Sequence, residues 1–133
     1  MLTPILSRQR QKRLLDIMEK RGYDAVVIGA PQHVYYFTAH FTNWQHFSAF
    51  VLFSDGRSLL ITANNPNKGA AADDVREYEA NTLSTLRSDQ PALVAKMITD
   101  EMQSRQVKQI GADASTVTSQ VALNFDGPRY SID

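Results

Sequence analysis

The sequence contains no cysteine, and lysine plus arginine are balanced by aspartate plus glutamate at 14 each. Without cysteine the chain has no disulfide, thiolate nucleophile or cysteine-ligated zinc, which fits a reducing compartment and favours the cytoplasm. Because the charges balance, the molecule has no net field to attract nucleic acid or an anionic membrane. We therefore expect neither as a partner.

Long apolar runs are also missing. No run reaches the roughly 18–20 apolar residues that a membrane-spanning helix needs, and the apolar start of the chain is too short for a signal peptide core. Hydrophobic residues nevertheless make up 43% of the 133 residues, which is enough to bury the core of one domain. We expect a single domain over residues 1–133.

The pattern of apolar and turn residues predicts alternating helices and strands. Ser7 is expected to cap a helix over residues 8–21, which ends at Gly22. The apolar run in YDAVVIGAP predicts a strand buried on both faces, and residues 47–53 and 58–63 predict a hairpin through the turn SDGR. The other predicted elements are a weak strand near residues 75–79, a helix from residue 88 or 89 to 105, a strand in VKQIGAD and a helix capped by Ser115.

This order predicts an α/β three-layer domain in which a mixed β-sheet is flanked by helices. The last residues, DGPRYSID, are extended and half apolar, and no helix is predicted after them. We expect such an end to lead into a linker or a further domain.

The histidines His33, His40 and His46 raise the question of a metal site. Their spacings of seven and six do not match the three or four of helical ligands or the two of strand ligands, and no acidic residue lies between Asp24 and Asp55. We expect single exposed or hydrogen-bonded histidines instead. The sequence also has no G-x-S-x-G elbow, P-loop or dinucleotide fingerprint, so it indicates no catalytic residue.

Aromatic residues are concentrated in HVYYFTAHFTNWQHFSAFVLF. From residue 47 onward, strand alternation explains them as core: one face receives Phe47, Ala49, Val51 and Phe53, and the other receives Ser48, Phe50 and Leu52. The preceding residues 39–46 have no period and combine Trp44 with polar side chains, a mixture typical of interfaces and pocket rims. Trp44 is either a contact residue or a plug at the sheet edge.

The stretch RLLDIMEKRGYDAVVIGAPQHVYYFTAHF, followed by FVLFSDGRSLLIT, resembles the N-terminal domain of the creatinase, prolidase and aminopeptidase P family. VKQIGADAST is similar to the I-G-x-D/E strand of that domain. One departure stands out: Ala39 occupies the place where the family usually has the glycine of a Tyr-x-Thr-Gly stretch. Alanine does not favour the positive φ of a tight turn.

The resemblance implies a ribonuclease H-like fold and a non-catalytic N-terminal domain of a metallopeptidase-like hydrolase, of Xaa-Pro dipeptidase, aminopeptidase or creatinase type. It assigns two divalent metal ions, with their Asp, Asp, His, Glu and Glu ligands, to a C-terminal "pita-bread" domain that these 133 residues do not include. This chain then needs no metal or cofactor of its own. Its implied partners are its own C-terminal domain and the neighbouring subunit of a homodimer.

The resemblance also implies that an aromatic residue after the Tyr-x-Thr-Gly stretch closes the mouth of the active site. The matching residues are 40–47, and Trp44 or Phe47 is the candidate for closure. We call Phe41, Trp44, His46 and Phe47 the access lip.

Two alternatives remain open from the sequence. The first is a free-standing binding or regulatory module of the same fold. The second is a nucleic-acid-binding protein that uses the basic residues of its N-terminal helix, although Asp16 and Glu19 interrupt the run and favour a solvated face. The basic residues are Arg8, Arg10, Lys12, Arg13, Lys20 and Arg21.

Overall fold

A computed structural model describes residues 3–40, 47–63, 70–78, 90–125 and 127–132. Its elements are α1 (Pro4–Arg21), β1 (Ala25–Ile28), α2 (Pro31–Thr38), β2 (Ala49–Phe53), β3 (Ser58–Ala63), β4 (Asp74–Tyr78), α3 (Gln90–Ser104), β5 (Ile110–Ala112), α4 (Thr116–Asn124) and β6 (Arg129–Ser131). The six strands form one sheet in the order β4-β3-β2-β1-β5-β6. Since β2 is antiparallel to both neighbours and the other pairs are parallel, the predicted mixed sheet is confirmed.

Alternate residues of the central strands divide the core into two layers. On one face, Val27 and Val51 pack in a cluster with α3 and α4. On the other face, Val26 and Phe50 pack in a cluster with α1 and α2. The three-layer prediction is confirmed, and so is the predicted division of residues 47–53 between two faces.

The hairpin of β2 and β3 is antiparallel as predicted, and Gly56 in its turn has a φ of 91°. Gly22 ends α1 with a φ of 76°, and Ser115 caps α4 by accepting a hydrogen bond from the Thr118 N–H. The predictions of the hairpin, of the helix end at Gly22 and of the Ser115 cap depended on turn and cap residues whose roles are local. The structure confirms each of them.

The predicted start of α1 was wrong. The helix begins at Pro4, and Thr3 rather than Ser7 caps it. Ser7 lies inside the helix with 0% exposure, and its hydroxyl donates to the Tyr36 carbonyl at 3.1 Å. Gln11 similarly donates to the Phe37 carbonyl at 2.7 Å. The buried polar face of α1 therefore satisfies carbonyls in the last turn of α2, which have no partner within their own helix.

Two elements were not predicted. Helix α2 forms over residues for which no element was predicted, because Pro31 lies in its first turn and favours a helix start. Strand β6 forms within DGPRYSID and pairs in parallel with β5. The extended conformation expected for that stretch is thus part of the sheet.

Ala39 ends α2 in the left-handed conformation, with a φ of 60° and its N–H bonded to the Tyr35 carbonyl. The turn is therefore of the kind that glycine would favour, and alanine occupies it at a cost of about 1–2 kcal/mol.

We expect Ala39→Gly to raise the free energy of unfolding by about 0.5–1 kcal/mol, because relief of the left-handed strain exceeds the extra freedom of the unfolded glycine. Urea unfolding followed by circular dichroism measures this difference. The matched control is Ala122→Gly inside α4, where glycine should cost about 1 kcal/mol. A loss of stability in both variants would contradict the strain at Ala39.

No helix among the residues listed above is both long and apolar enough to cross a bilayer.

Candidate functional site

One edge of the sheet brings together several buried polar side chains, among them His40, Thr62, Gln90 and Asp113. Five strands run in one direction and β2 runs in the other, so the ends of those five and the start of β2 lie together. Gly29 and Asp113 follow β1 and β5 there, Tyr78 ends β4, and Phe47 precedes β2. We call this the carboxyl edge. Ligands of open α/β sheets bind outside this edge, at the point where the strand order reverses.

The side chain of Asp113 lies at that reversal point, between β1 and β5. Its carboxylate has 0% exposure and accepts hydrogen bonds from the Gly29 N–H at 3.1 Å and the Ala30 N–H at 2.9 Å. Both N–H groups precede α2, where backbone donors have no helical partner. The buried carboxylate therefore joins the ends of β1 and β5 to the start of α2.

His33, in the first turn of α2, completes this cluster. Its Nδ1 lies 3.0 Å from Asp113 Oδ2. Because an ionised carboxylate only accepts hydrogen bonds, this contact places a proton on Nδ1. The other ring nitrogen, Nε2, then remains for a second partner, and the side chain is 41% exposed. A histidine oriented by a buried carboxylate is an arrangement used to hold one tautomer in place.

His40 lies at the same edge and is buried. Its Nε2 lies 3.0 Å from Thr62 Oγ1, whereas its Nδ1 is buried without a hydrogen-bond partner. Burial lowers the pKa of His40 below its ordinary value, because a charged imidazole loses more hydration than a neutral one. His40 is therefore a neutral, buried imidazole that is bonded to the end of β3 through Thr62.

A third group fixes the start of β2. The Tyr78 hydroxyl donates to the Phe47 carbonyl and accepts from the Phe47 N–H at 3.1 Å, while Gln90 Oε1 lies 3.3 Å from the same N–H. Burial raises the pKa of Tyr78 to about 12, although its hydrogen bond to Phe47 acts in the opposite direction. The hydroxyl consequently stays protonated at neutral pH and can keep donating.

Three residues of the predicted access lip, Phe41, Trp44 and His46, lie outside the described residues. Phe47 is described, and its half-buried ring packs against the α3–α4 core cluster. The residues on either side of 41–46 are thus both held at the carboxyl edge: His40 by Thr62, and Phe47 by Tyr78 and Gln90.

The histidines that are described do not share a ligand position. His33 contacts Asp113 and His40 contacts Thr62, as expected for hydrogen-bonded single histidines, and His46 falls outside the described residues. Within the described ranges, no group of three or more His, Cys, Asp or Glu side chains is placed to hold a metal ion.

The basic residues of α1 are partly engaged within the domain. Arg8 forms an ion pair with Asp73 at 3.2 Å. The guanidinium of Arg10 lies 4.1 Å from the centre of the Tyr36 ring and donates to the Tyr36 carbonyl. These contacts favour the interpretation of α1 as a solvated face that also supports α2.

Sequence reasoning missed the residues that organise the carboxyl edge: Thr62, Tyr78, Gln90 and Asp113. Asp113 had a usable signal, because an aspartate directly after a buried strand can accept from the N–H groups that begin a helix. Tyr78 and Gln90 had no such signal in the sequence. Their partner Phe47 is distant in sequence, and the residues between Phe47 and these two side chains show no pattern that links them.

The sheet order, the two helical layers and the carboxyl edge define a three-layer α/β domain with a mixed sheet. The chain belongs to the creatinase/prolidase N-terminal domain family, whose model matches residues 10–127. No curated protein matches the sequence.

Solved structures share this fold. An Xaa-Pro aminopeptidase from Streptococcus pyogenes has 16% identity and a TM-score of 0.68, and the match covers 95% of this chain and 91% of that one. An Xaa-Pro dipeptidase from Bacillus anthracis has 11% identity and a TM-score of 0.69, and the match covers 96% of this chain and 34% of that one. A prolidase from Pyrococcus furiosus has 11% identity and a TM-score of 0.60, and the match covers 90% of this chain and 32% of that one. The chain thus spans about a third of the last two structures.

Proposed function

We propose that this chain is the non-catalytic N-terminal domain of a cytoplasmic metallopeptidase-like hydrolase, of Xaa-Pro dipeptidase, aminopeptidase or creatinase type. In this proposal a C-terminal domain follows residue 133 and supplies the two divalent metal ions and the chemistry. The present domain serves homodimer assembly and closes the mouth of the active site. The family match over residues 10–127 is the observation that carries the proposal.

Two further observations support it. The chain covers only 34% and 32% of two solved relatives named as a dipeptidase and a prolidase, so a domain of this size is one part of those proteins. The carboxyl edge also holds both residues that flank segment 41–46. A segment with fixed ends presents its side chains at lower entropic cost than a free one.

The first test is the coding sequence downstream of Asp133. We expect an open frame that encodes one aspartate, a second about eleven residues later, and then histidine, glutamate and glutamate, the ligand types of hard divalent metals. A stop codon directly after Asp133 would contradict the proposal and favour a free-standing binding module of the same fold.

In the full-length protein, we expect Trp44→Ala to lower kcat/KM for an Xaa-Pro dipeptide or creatine by about tenfold, which equals 1.4 kcal/mol of lost transition-state stabilisation. Metal content, measured by atomic emission, should stay unchanged. The matched control is Leu123→Ala, a 77% exposed side chain near the end of α4, which leads away from the carboxyl edge. Equal kinetics in both variants would remove the access lip from the proposal.

A further inference from the structure

A second concave site lies on the face of the sheet that α1 and α2 cover. It has a volume of about 320 Å³, and its apolar walls come from Leu14 and Ile17 of α1, Phe37 of α2, and Tyr23 and Ile132 beside the sheet. Pockets that hold small molecules have this character, with mostly apolar walls and a few placed polar groups. None of these residues belongs to the access lip.

Three of the lining residues carry polar side-chain groups, and they are Arg21, Tyr23 and His33. Tyr23 is buried and its ring stacks on Tyr130, whereas Arg21 and His33 are the more exposed polar groups of the lining. Arg21 is exposed in the last turn of α1, and no ion pair or hydrogen bond joins its guanidinium to another described residue. A guanidinium without a partner, beside an apolar wall, is a complementary site for a carboxylate, which it binds through two parallel hydrogen bonds.

His33 contributes a hydrogen-bond acceptor, whereas Arg21 contributes donors. Asp113 holds Nδ1 at 3.0 Å, and the Asp113 carboxylate is itself fixed by the N–H groups of Gly29 and Ala30. The imidazole is therefore presented with Nε2 free, and in the neutral ring that nitrogen accepts a hydrogen bond. A ligand that matches both residues combines a carboxylate with an N–H or O–H donor.

We infer that this pocket binds a small carboxylic acid with an apolar body, such that Arg21 takes the carboxylate, His33 Nε2 accepts a hydrogen bond from an N–H or O–H of the ligand, and the apolar body lies against Ile17 and Phe37. N-acylated apolar amino acids and 2-hydroxy acids with an apolar side chain have this chemistry. All residues that line the pocket belong to this domain, so binding of the acid does not require a catalytic domain.

The test uses N-acetyl-L-phenylalanine as the probe, with isothermal titration on the full chain. Two analogues each lack one feature: N-acetyl-L-phenylalanine amide has no charge, and 3-phenylpropionate has no N–H donor. We expect saturable one-to-one binding of the acid. Each analogue should bind about tenfold more weakly, because each loses one hydrogen bond, which is charge-assisted with Arg21 and neutral with His33.

Variants link each feature to its residue. Arg21→Gln should weaken the acid about tenfold and leave the uncharged amide unchanged, whereas Arg13→Gln removes an equal charge from the exposed face of the same helix and should change neither. His33→Phe keeps an aromatic ring and should abolish the preference for N-acetylphenylalanine over 3-phenylpropionate. Circular dichroism of each variant checks the fold. If His33→Phe is unstable, the comparison of Arg21→Gln with Arg13→Gln tests the inference by itself.

Three results would overturn the inference: no saturable binding of the acid by the wild-type chain, equal affinity for all three probes, or equal affinities of the Arg21→Gln and Arg13→Gln variants for the acid.

Discussion

Asp113→Ala should lower the free energy of unfolding by about 3–4 kcal/mol, because the N–H groups of Gly29 and Ala30 would stay buried without an acceptor. Both residues are buried and both donate to this carboxylate. For a chain of this size, such a loss corresponds to a drop in Tm of about 10 °C. Urea unfolding and a thermal scan of the same samples provide the two measurements.

Two further variants separate charge from shape at Asp113. Asp113→Asn keeps the shape but turns an NH₂ donor toward one of the N–H groups, so we expect an intermediate loss of about 2 kcal/mol. Asp100→Ala removes an equally charged side chain that is 60% exposed and paired with Lys96 at 2.8 Å, and it should cost less than about 0.5 kcal/mol. Similar losses for Asp113→Ala and Asp100→Ala would mean that the Asp113 cluster does not stabilise the domain.

Gly29→Ala should cost about 2–3 kcal/mol through overpacking. A Cβ on Gly29 would lie 2.4 Å from Ser115 Oγ and 2.9 Å from Val117 Cβ. Ser115 Oγ is the cap of α4 and accepts from the Thr118 N–H at 3.2 Å, so a displaced hydroxyl also loses the cap. The measurement is again the free energy of unfolding in urea.

A double-mutant cycle with Ser115→Ala identifies the cause. Ser115→Ala alone loses the cap and should cost about 1 kcal/mol. The double variant should cost about 1 kcal/mol less than the sum of the two single variants, since the closest clash is gone. Strictly additive losses would show that Gly29 and Ser115 do not interfere. For contrast, Gly22→Ala meets no atom within 4 Å, so its cost of about 1 kcal/mol comes from backbone conformation alone.

The sequence predicted the elements whose signals are local. Unbroken apolar runs identified β1, and the S-D-G-R turn identified the hairpin, because the residues that form these elements also border them. The start of α1 was mistaken for a related reason: Thr3 and Ser7 are both suitable caps, and Pro4 between them is the residue that decides in favour of Thr3. Ser7 instead serves Tyr36, a partner that local pattern cannot reveal.

Helix α2 and the carboxyl edge could not be predicted in the same way. Residues 34–38 are Val, Tyr, Tyr, Phe and Thr, which favour strands by propensity. Here tertiary contacts override propensity, since Asp113 holds the N-terminal end of α2, while Ser7 and Gln11 hold the C-terminal end. The role of Asp113 depends on N–H donors that are far away in sequence. The fold could therefore be predicted, whereas the Asp113 cluster at the carboxyl edge could not.

The position of β1 in the sheet has a consequence for how the chain folds during synthesis. Its residue Ala25 pairs with Phe53 on one side and with Ile110 on the other. At roughly 5–20 residues per second, the ribosome needs on the order of ten seconds to pass from β1 to β5. Throughout that interval, one hydrogen-bonding edge of this fully apolar strand has no native partner, and such edges invite pairing with other chains. Residues 25–28 of the nascent domain are therefore exposed to such pairing until β5 leaves the ribosome.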